Sequence, residues 1–169
     1  MHLTRLLAAA ALTCALVPVP AAGAPKACSA PEFRQFDFWV GNWKVTDRAT
    51  GQAAGTNDIT REFGGCVVQE HWIDTQGSHG SSFNIYDPKT KAWHQAWVDD
   101  NGLYLDLSGH FAHGAMVLSG SRPGKGGRPA IDRITWTKQA DGSVRQFWQS
   151  SADGGVTWKT SFDGIYRPA

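Results

Sequence analysis

Ten short segments with the alternating pattern of β-strands recur along this chain at intervals of roughly 8 to 12 residues. They are residues 38–46, 57–63, 66–74, 81–86, 93–99, 104–109, 115–120, 132–137, 144–150 and 157–167. Most links between them are short and rich in the turn-forming residues Gly, Asp and Asn. Such links join antiparallel neighbours, because a parallel crossover needs a dozen or more residues. We therefore predict an all-β domain of antiparallel strands with little helix.

The link at residues 120–129 is longer than the others and combines Pro123 with Gly124, Gly126, Gly127 and cationic side chains. Proline and glycine at this density are typical of a loop rather than of a strand. We predict a mobile loop here that covers one end of the domain as a lid.

Residues 1–24 have the composition of a secretory signal peptide. Arg5 precedes an apolar run at residues 6–19, and small residues follow it as candidate cleavage sites. The run is short for a membrane span, and no later segment approaches the length that a span needs. We predict cleavage near residue 24 and an exported protein, periplasmic or secreted, that has no membrane attachment after cleavage.

Lipoprotein processing is the alternative, and it would require a cysteine in a suitable context. Thr13 precedes Cys14 where a small residue is needed, and Lys26 lies close before Cys28. Neither cysteine therefore fits a lipoprotein signal.

The remaining chain, residues 25–169, is about 145 residues long, which is the size of one domain with a sizeable core. Signal cleavage would remove one of the 16 basic residues, leaving as many basic residues as the 15 acidic ones. A balanced charge gives no attraction to nucleic acid or anionic lipid. We expect a monomer that binds no nucleic acid.

Signal cleavage also leaves Cys28 and Cys66 as an even pair in an oxidising compartment, which predicts one disulfide. In the chain-entropy model a bond across this interval contributes about 4 kcal/mol and would tie the N-terminal segment to the domain. A metal site is the alternative, but two distant cysteines and scattered histidines supply too few ligands.

The segment Phe-Asp-Phe-Trp-Val-Gly-Asn-Trp at residues 36–43 contains a Gly-x-Trp pair, Gly41 and Trp43. It resembles the opening strand of lipocalin-like barrels, in which this tryptophan packs at one end against an arginine of the last strand. Arg167 matches that arginine. The resemblance implies a single closed lipocalin-like or calycin-like barrel of about 8–10 strands, in which a Trp43–Arg167 contact closes the structure.

Residues 151–158 match the Asp-box pattern Ser-x-Asp-x-Gly-x-Thr-Trp at every defined position. The carboxylate of Asp153 is expected to accept backbone N–H bonds across a hairpin, Gly155 to take a positive φ, and Trp158 to cover the joint. Asp-boxes are familiar from sialidase propellers, where they lie away from the catalytic centre. A single such hairpin makes neither a propeller nor a glycosidase site, which needs paired carboxylates.

Nearly all of the chain after residue 25 resembles a group of exported bacterial barrels of uncharacterised function. The likeness includes residues 36–43, Gly-Gly-Cys at 64–66, Glu-His-Trp at 70–72, Trp-His-Gln-Ala-Trp at 93–97 and the Asp-box. It implies a fold and export, and no reaction. The opening segment also resembles that of nitrobindin-type haem barrels, but the last strand here has no histidine to serve as axial ligand. We therefore predict no cofactor.

Aromatic and polar side chains alternate on shared faces of several strands, which predicts a lumen with both stacking surfaces and hydrogen-bonding groups. The candidate ligand-binding residues are Glu70, Trp72, Asn84, Gln95, Trp97, Arg133, Arg145 and Trp148. The alternative is that these tryptophans lie on outer faces or at the ends, with their polar neighbours simply solvated.

Glu70 lies between two apolar neighbours of its face, Val68 and Trp72, where a buried acid would need a partner. Arg61, Arg133 or Arg145 is the expected partner. Such a pair would clamp a polar ligand or act in acid–base chemistry, although a purely structural ion pair is the commoner case.

The sequence contains no nucleophile motif such as Gly-x-Ser-x-Gly and no phosphate-binding loop. Its histidines lack metal-ligand spacing apart from His110 and His113, which flank a predicted turn. We assign no catalytic residue and no metal site.

Three functions remain open at this stage. The first is a barrel that binds a small, partly apolar molecule, and the second is an enzyme on the same barrel with Glu70 or a histidine as general base. The third is a protein- or glycan-interaction module with a filled core. An open cavity favours the first, a cavity with a strongly shifted Glu70 the second, and a packed interior the third.

Overall fold

The computed structural model of this protein describes residues 26–169 and shows one closed antiparallel barrel of ten strands. The strands are β1 Gly41–Asp47, β2 Ala53–Glu62, β3 Val67–Asp74, β4 His79–Asp87, β5 Ala92–Asp99, β6 Tyr104–Ala112, β7 Ala115–Pro123, β8 Pro129–Lys138, β9 Val144–Ser151 and β10 Lys159–Pro168. Short 3-10 turns lie at Pro31–Arg34, Asp37–Trp39, Phe63–Gly65 and Lys125–Gly127. The predicted signal peptide, residues 1–24, lies outside the described residues.

Each strand pairs with its neighbour in the sequence, and β1 pairs with β10 to close the barrel. The predicted fold class is therefore confirmed, and each of the ten predicted segments overlaps one observed strand. The prediction succeeds because the period-two alternation and the turn residues are both local signals.

The predicted long loop at residues 120–129 is wrong in its extent, because β7 continues to Pro123 and β8 begins at Pro129. Gly120 belongs to the strand. A Cβ atom at this position would lie 2.0 Å from the carbonyl oxygen of Asp106, so glycine allows the neighbouring backbone to approach closely. Only residues 124–128 connect the two strands.

The first strand also begins later than predicted, at Gly41 rather than at residue 38. The 3-10 turn Asp37–Trp39 precedes it, and Gly41 has a φ of 150°, a value that residues with a Cβ atom rarely adopt. The aromatic residues before Gly41 therefore do not continue the strand but turn into the barrel.

Those aromatic residues fill one end of the barrel and form what we call the plug, residues 33–39. Phe36 and Trp39 are completely buried and stack with ring centroids 4.9 Å apart. Phe36 also contacts Trp93 of β5 at 5.7 Å and Trp136 of β8 at 5.2 Å, both in edge-on geometry. The plug closes this end, so the barrel can be open only at the other.

A disulfide and an arginine hold the plug in place. Cys28 is bonded to Cys66, as predicted, which ties the N-terminal segment to the start of β3. Arg61 of β2 donates to Asp37 with its Nε at 2.7 Å, to the carbonyl of Gly65 at 2.6 Å, and to the carbonyl of Phe33. Side chain and backbone of the plug are therefore both fixed to the barrel wall.

The predicted contact between Trp43 and Arg167 is wrong. The register pairs Lys44 with Arg167 and Val45 with Tyr166, so alternation places Arg167 on the outer face, where it is exposed. Trp43 instead packs inside against Tyr166, with ring centroids 6.3 Å apart, and donates its indole N–H to the carbonyl oxygen of Trp39 at 2.9 Å. An aromatic pair, not a cation on an aromatic ring, joins the first and last strands.

Candidate functional site

A cavity of about 160 Å³ opens at the barrel end opposite the plug, and twelve residues line it. Six of them are aromatic: Trp72, Trp97, Trp136, Trp148, Phe162 and Tyr166. Four are polar: Glu70, Gln95, Gln146 and Ser161. Leu105 and Ile134 complete the lining. The barrel interior is thus packed at the plug end and hollow at the other.

Glycines of the strands seat three of the aromatic rings at the mouth. A Cβ atom at Gly80 would lie 2.2 Å from the Trp97 ring, and one at Gly55 would lie 2.7 Å from the Trp72 ring. A Cβ atom at Gly164 would likewise lie 2.5 Å from the Phe162 ring. Each ring therefore lies over backbone that has no side chain, which fixes its position at the cavity wall.

Trp148 is held in a different way, through its indole N–H. It donates at 2.8 Å to Asp132, a fully buried carboxylate. Ser150 donates to the same carboxylate at 2.6 Å, and Arg122 forms an ion pair with it at 2.7 Å. The orientation of the Trp148 ring is thus set by contacts within the protein.

Glu70 lies in the cavity lining and is only 3% exposed. Asn57 Nδ2 and Ser82 Oγ donate to its two carboxylate oxygens, each at 2.7 Å. Burial raises the pKa of Glu70 to about 7, and these two hydrogen bonds offset only part of the rise. Near neutral pH the site therefore contains a carboxyl group that is easily protonated or ionised.

The partners of Glu70 belong to a buried network of neutral polar groups. On one side, Asn84 donates to Ser82 at 2.9 Å and Gln95 donates to Asn84 at 2.8 Å. On the other side, Asn57 Nδ2 lies 3.4 Å from the hydroxyl of Tyr166, which donates to Gln146. Burial, and next the charge of Glu70, raise the pKa of Tyr166 well above its ordinary value, so the phenol stays protonated.

The prediction that an arginine pairs with Glu70 is wrong, because each of the three candidates binds elsewhere. Arg61 binds Asp37 at the plug end. Arg145 makes two hydrogen bonds to Asp163, at 2.7 and 2.9 Å. Arg133 donates to Gln149 at 3.0 Å and its guanidinium lies 4.0 Å from the centroid of the Trp158 ring.

Five of the eight candidate ligand-binding residues line the cavity together: Glu70, Trp72, Gln95, Trp97 and Trp148. Asn84 is completely buried behind them and orients Gln95. Arg133 and Arg145 lie outside the lining, because alternation turns them away from the inward-facing Ile134 and Gln146 next to them.

Sequence reasoning missed seven lining residues that the structure brings to the cavity: Leu105, Ile134, Trp136, Gln146, Ser161, Phe162 and Tyr166. Gln146 shares a strand face with Trp148, so alternation is a signal that would have found it. Phe162 has no such signal, because a bulge shifts the register of β10 between Thr160 and Phe162.

The Asp-box forms the hairpin between β9 and β10, as predicted. Asp153 accepts hydrogen bonds from the backbone N–H of Thr157 at 2.9 Å and from its hydroxyl at 2.6 Å. The Thr157 hydroxyl is the main reason why the pKa of Asp153 falls to about 2. Gly155 has a φ of 92°, and Trp158 donates to the carbonyl of Gly155 at 3.0 Å. The motif builds one rim of the open end and is not part of the cavity lining.

Among residues 26–169 no group of three or more His, Cys, Asp or Glu side chains is placed to hold a metal ion. Within the same range, no helix has the length and apolar character to cross a membrane.

No family model matches this chain, and a search of the curated proteins found no significant match. An aromatic wall and one carboxyl group of near-neutral pKa can enclose a small molecule, contact its apolar surface, and either exchange a proton with it or bind its charge.

Proposed function

We propose that this protein is an exported barrel of the lipocalin-like kind that binds a small, partly apolar molecule at its open end. The observation that carries the proposal is the cavity of about 160 Å³ between four tryptophans, with Glu70 among its lining residues. Pockets that combine mostly aromatic walls with a few fixed polar groups are typical ligand sites.

The volume limits the size of the ligand. An apolar cavity of about 150 Å³ accommodates benzene. The cavity of about 160 Å³ therefore suits a molecule of roughly the same size, with a further part extending through the open end.

The export part of the proposal is supported by the composition of residues 1–24 and by the Cys28–Cys66 disulfide. Disulfides persist in oxidising compartments and are rare in the cytosol. Secretion of a reporter fused to residues 1–24 would test this part separately.

Binding is tested on the purified protein by native mass spectrometry and by a tryptophan-fluorescence screen against a broad panel of small metabolites. We expect a co-purified or added molecule to bind, and Trp97→Leu to weaken the binding tenfold or more. The matched control is Trp158→Leu, because Trp158 lies outside the cavity lining on the rim of the barrel. The proposal fails if no molecule binds, or if both variants lose affinity equally.

An enzyme on the same barrel is a second candidate, favoured by the raised pKa of Glu70, which is about 7. A general base works best with a pKa near the working pH. Incubating the protein with each binding molecule and following its mass by mass spectrometry tests this candidate. Turnover that disappears in Glu70→Gln while binding remains would establish it, and an unchanged ligand would exclude it.

A further inference from the structure

We propose that the ligand is a small organic cation of the alkylammonium class. In this proposal Glu70 balances its positive charge and the tryptophans surround its alkyl groups. The inference rests on the proposed binding function and specifies the chemistry of that site.

The charge of the lining favours a cation. Glu70 is the one acidic residue among the twelve that line the cavity, and none of the twelve is Lys, Arg or His. Two arginines of the neighbouring strands have carboxylate partners, since Arg122 binds Asp132 and Arg145 binds Asp163. An anion would thus meet a carboxyl group without any compensating cation.

The described chain has two buried carboxylates, and they differ in whether a cation lies beside them. Asp132 and Glu70 are both at most 3% exposed. Asp132 has the guanidinium of Arg122 at 2.7 Å, whereas Glu70 has only the neutral donors Asn57 and Ser82. A buried charge without a counterion is costly, and the space beside Glu70 is the cavity. A bound cation would supply there what Arg122 supplies to Asp132.

The aromatic wall suits the alkyl groups of such a cation. The faces of aromatic rings carry partial negative charge, and cages of them bind quaternary ammonium groups. The indole N–H of Trp148 donates to Asp132, and that of Trp97 is directed at Asp99 at 3.4 Å; neither acceptor lines the cavity. These two rings therefore offer carbon surface to the ligand rather than hydrogen-bond donors.

The pH dependence of binding should follow Glu70. The groups that face it or share the cavity are Asn57 of β2, Ser82 of β4, Gln95 of β5, Gln146 of β9 and Tyr166 of β10. Tyr166 alone among these titrates, and its pKa is raised well above its ordinary value, so it stays neutral. Because a cation binds the ionised carboxylate, its affinity should rise about tenfold per pH unit below pH 7 and level off above it.

The test compares choline with 3,3-dimethylbutan-1-ol, a neutral molecule of nearly the same shape, by titration calorimetry at pH 5 and pH 8; tetramethylammonium serves as a second cation. We expect choline to bind at pH 8 at least tenfold more tightly than the alcohol, and far more weakly at pH 5. Glu70→Gln should remove this preference. Asp58→Asn, which removes an exposed carboxylate on the outer face beside Asn57, should keep it.

The outcomes separate the two proposals. Equal binding of choline and the alcohol would overturn the cation inference and leave small-molecule binding intact, as would failure of both cations when another molecule from the metabolite panel binds. Failure of every molecule tested would overturn both. If Glu70→Gln does not fold, the pH dependence in the wild-type protein decides: cation affinity that is equal at pH 5 and pH 8 contradicts the role of Glu70.

Discussion

Glu70 is a buried side chain that affects the stability of the fold and also lines the proposed binding site. Its carboxyl group is 3% exposed, is bonded to neutral donors, and has a pKa of about 7 in the folded protein against 4.5 for an ordinary glutamate. The folded state thus prefers the protonated form, which means that the ionised form costs stability in the absence of a ligand.

The first prediction is that ionisation of Glu70 lowers the stability of the wild-type protein as the pH rises. A raised carboxyl pKa contributes stability that is fully present below pH 4.5 and is lost as the pH rises through 7. The loss should approach about 3 kcal/mol, since a tenfold change in an acid dissociation constant corresponds to about 1.4 kcal/mol. Urea unfolding of the wild type and of Glu70→Gln at pH 4.5 and pH 8 measures it.

Glu70→Gln serves as the reference because the other titrating groups are the same in both proteins. Asp153, whose pKa is lowered to about 2, loses its contribution to stability only in the acid range, and it cancels in the comparison. If the difference in unfolding free energy between wild type and Glu70→Gln is the same at both pH values, the pKa of Glu70 is not raised.

At the scale of the elements, the mouth of the barrel is built from pairs of a glycine and an aromatic ring on adjacent strands. Gly80 of β4 and Trp97 of β5 are one such pair, and Gly55 of β2 with Trp72 of β3 is another. The glycine is the partner that permits the ring to lie against the wall, so its substitution should move the ring.

Gly80→Ala therefore should displace the Trp97 ring, because its Cβ atom would lie 2.2 Å from that ring. We expect weaker ligand binding, a shifted tryptophan emission spectrum and a loss of roughly 1 to 3 kcal/mol in stability, the usual cost of overpacking. Gly51→Ala is the control: it has a positive φ of 72° but open space around it, so it should cost stability without changing the cavity. Unchanged emission and affinity in Gly80→Ala would contradict the claim that Gly80 allows the Trp97 ring to lie against the barrel wall.

The elements were predictable from the sequence because alternation and turn residues act locally. The ten strands follow from them, as does the Asp-box hairpin around Asp153. Which face of a strand points inward is not local. Arg145 and Trp148 lie on opposite faces of β9, so they cannot both line the cavity, and only closure of the barrel decides between them.

The partners of Glu70 could not be predicted either, because they also depend on contacts between strands. Asn57 and Ser82 reach it from β2 and β4, through the register of three adjacent strands. A charged partner was the obvious expectation, since neutral amide and hydroxyl donors are too common in a sequence to single out. The plug could not be predicted from the sequence, because the aromatic residues before Gly41 fit a strand pattern as well as a 3-10 turn.

At the scale of the whole molecule, the barrel has one closed and one open end. The Cys28–Cys66 disulfide belongs to the closed end, and the cavity belongs to the open end. Trp136 lines the cavity and contacts the plug, but Cys28 and Cys66 are not among the lining residues. Loss of the disulfide should therefore lower stability without changing the cavity.

Replacing both cysteines, Cys28→Ser with Cys66→Ser, tests this separation. The bond spans 38 residues, and in the chain-entropy model a loop of this length contributes about 4 kcal/mol to stability. We expect a lower urea midpoint, measured by tryptophan fluorescence, with ligand affinity within twofold of the wild type. A variant that keeps its stability, or one that loses ligand affinity while still folded, would contradict the separation.

The pairing of β1 with β10 also governs the order in which the protein can fold. Trp43 lies opposite Pro168, so the closing pair joins residues from nearly the two ends of the described chain. Hairpins form between neighbours in microseconds, but closure has to wait for the last strand, and contacts so distant in sequence slow folding. Until then the edge of β1 that later pairs with β10 has no partner, and a chain that emerges from its N-terminus first carries this free edge throughout its synthesis. The cavity is lined by Phe162 and Tyr166 of β10 together with Glu70 of β3, so we expect it to form only when β10 closes the barrel.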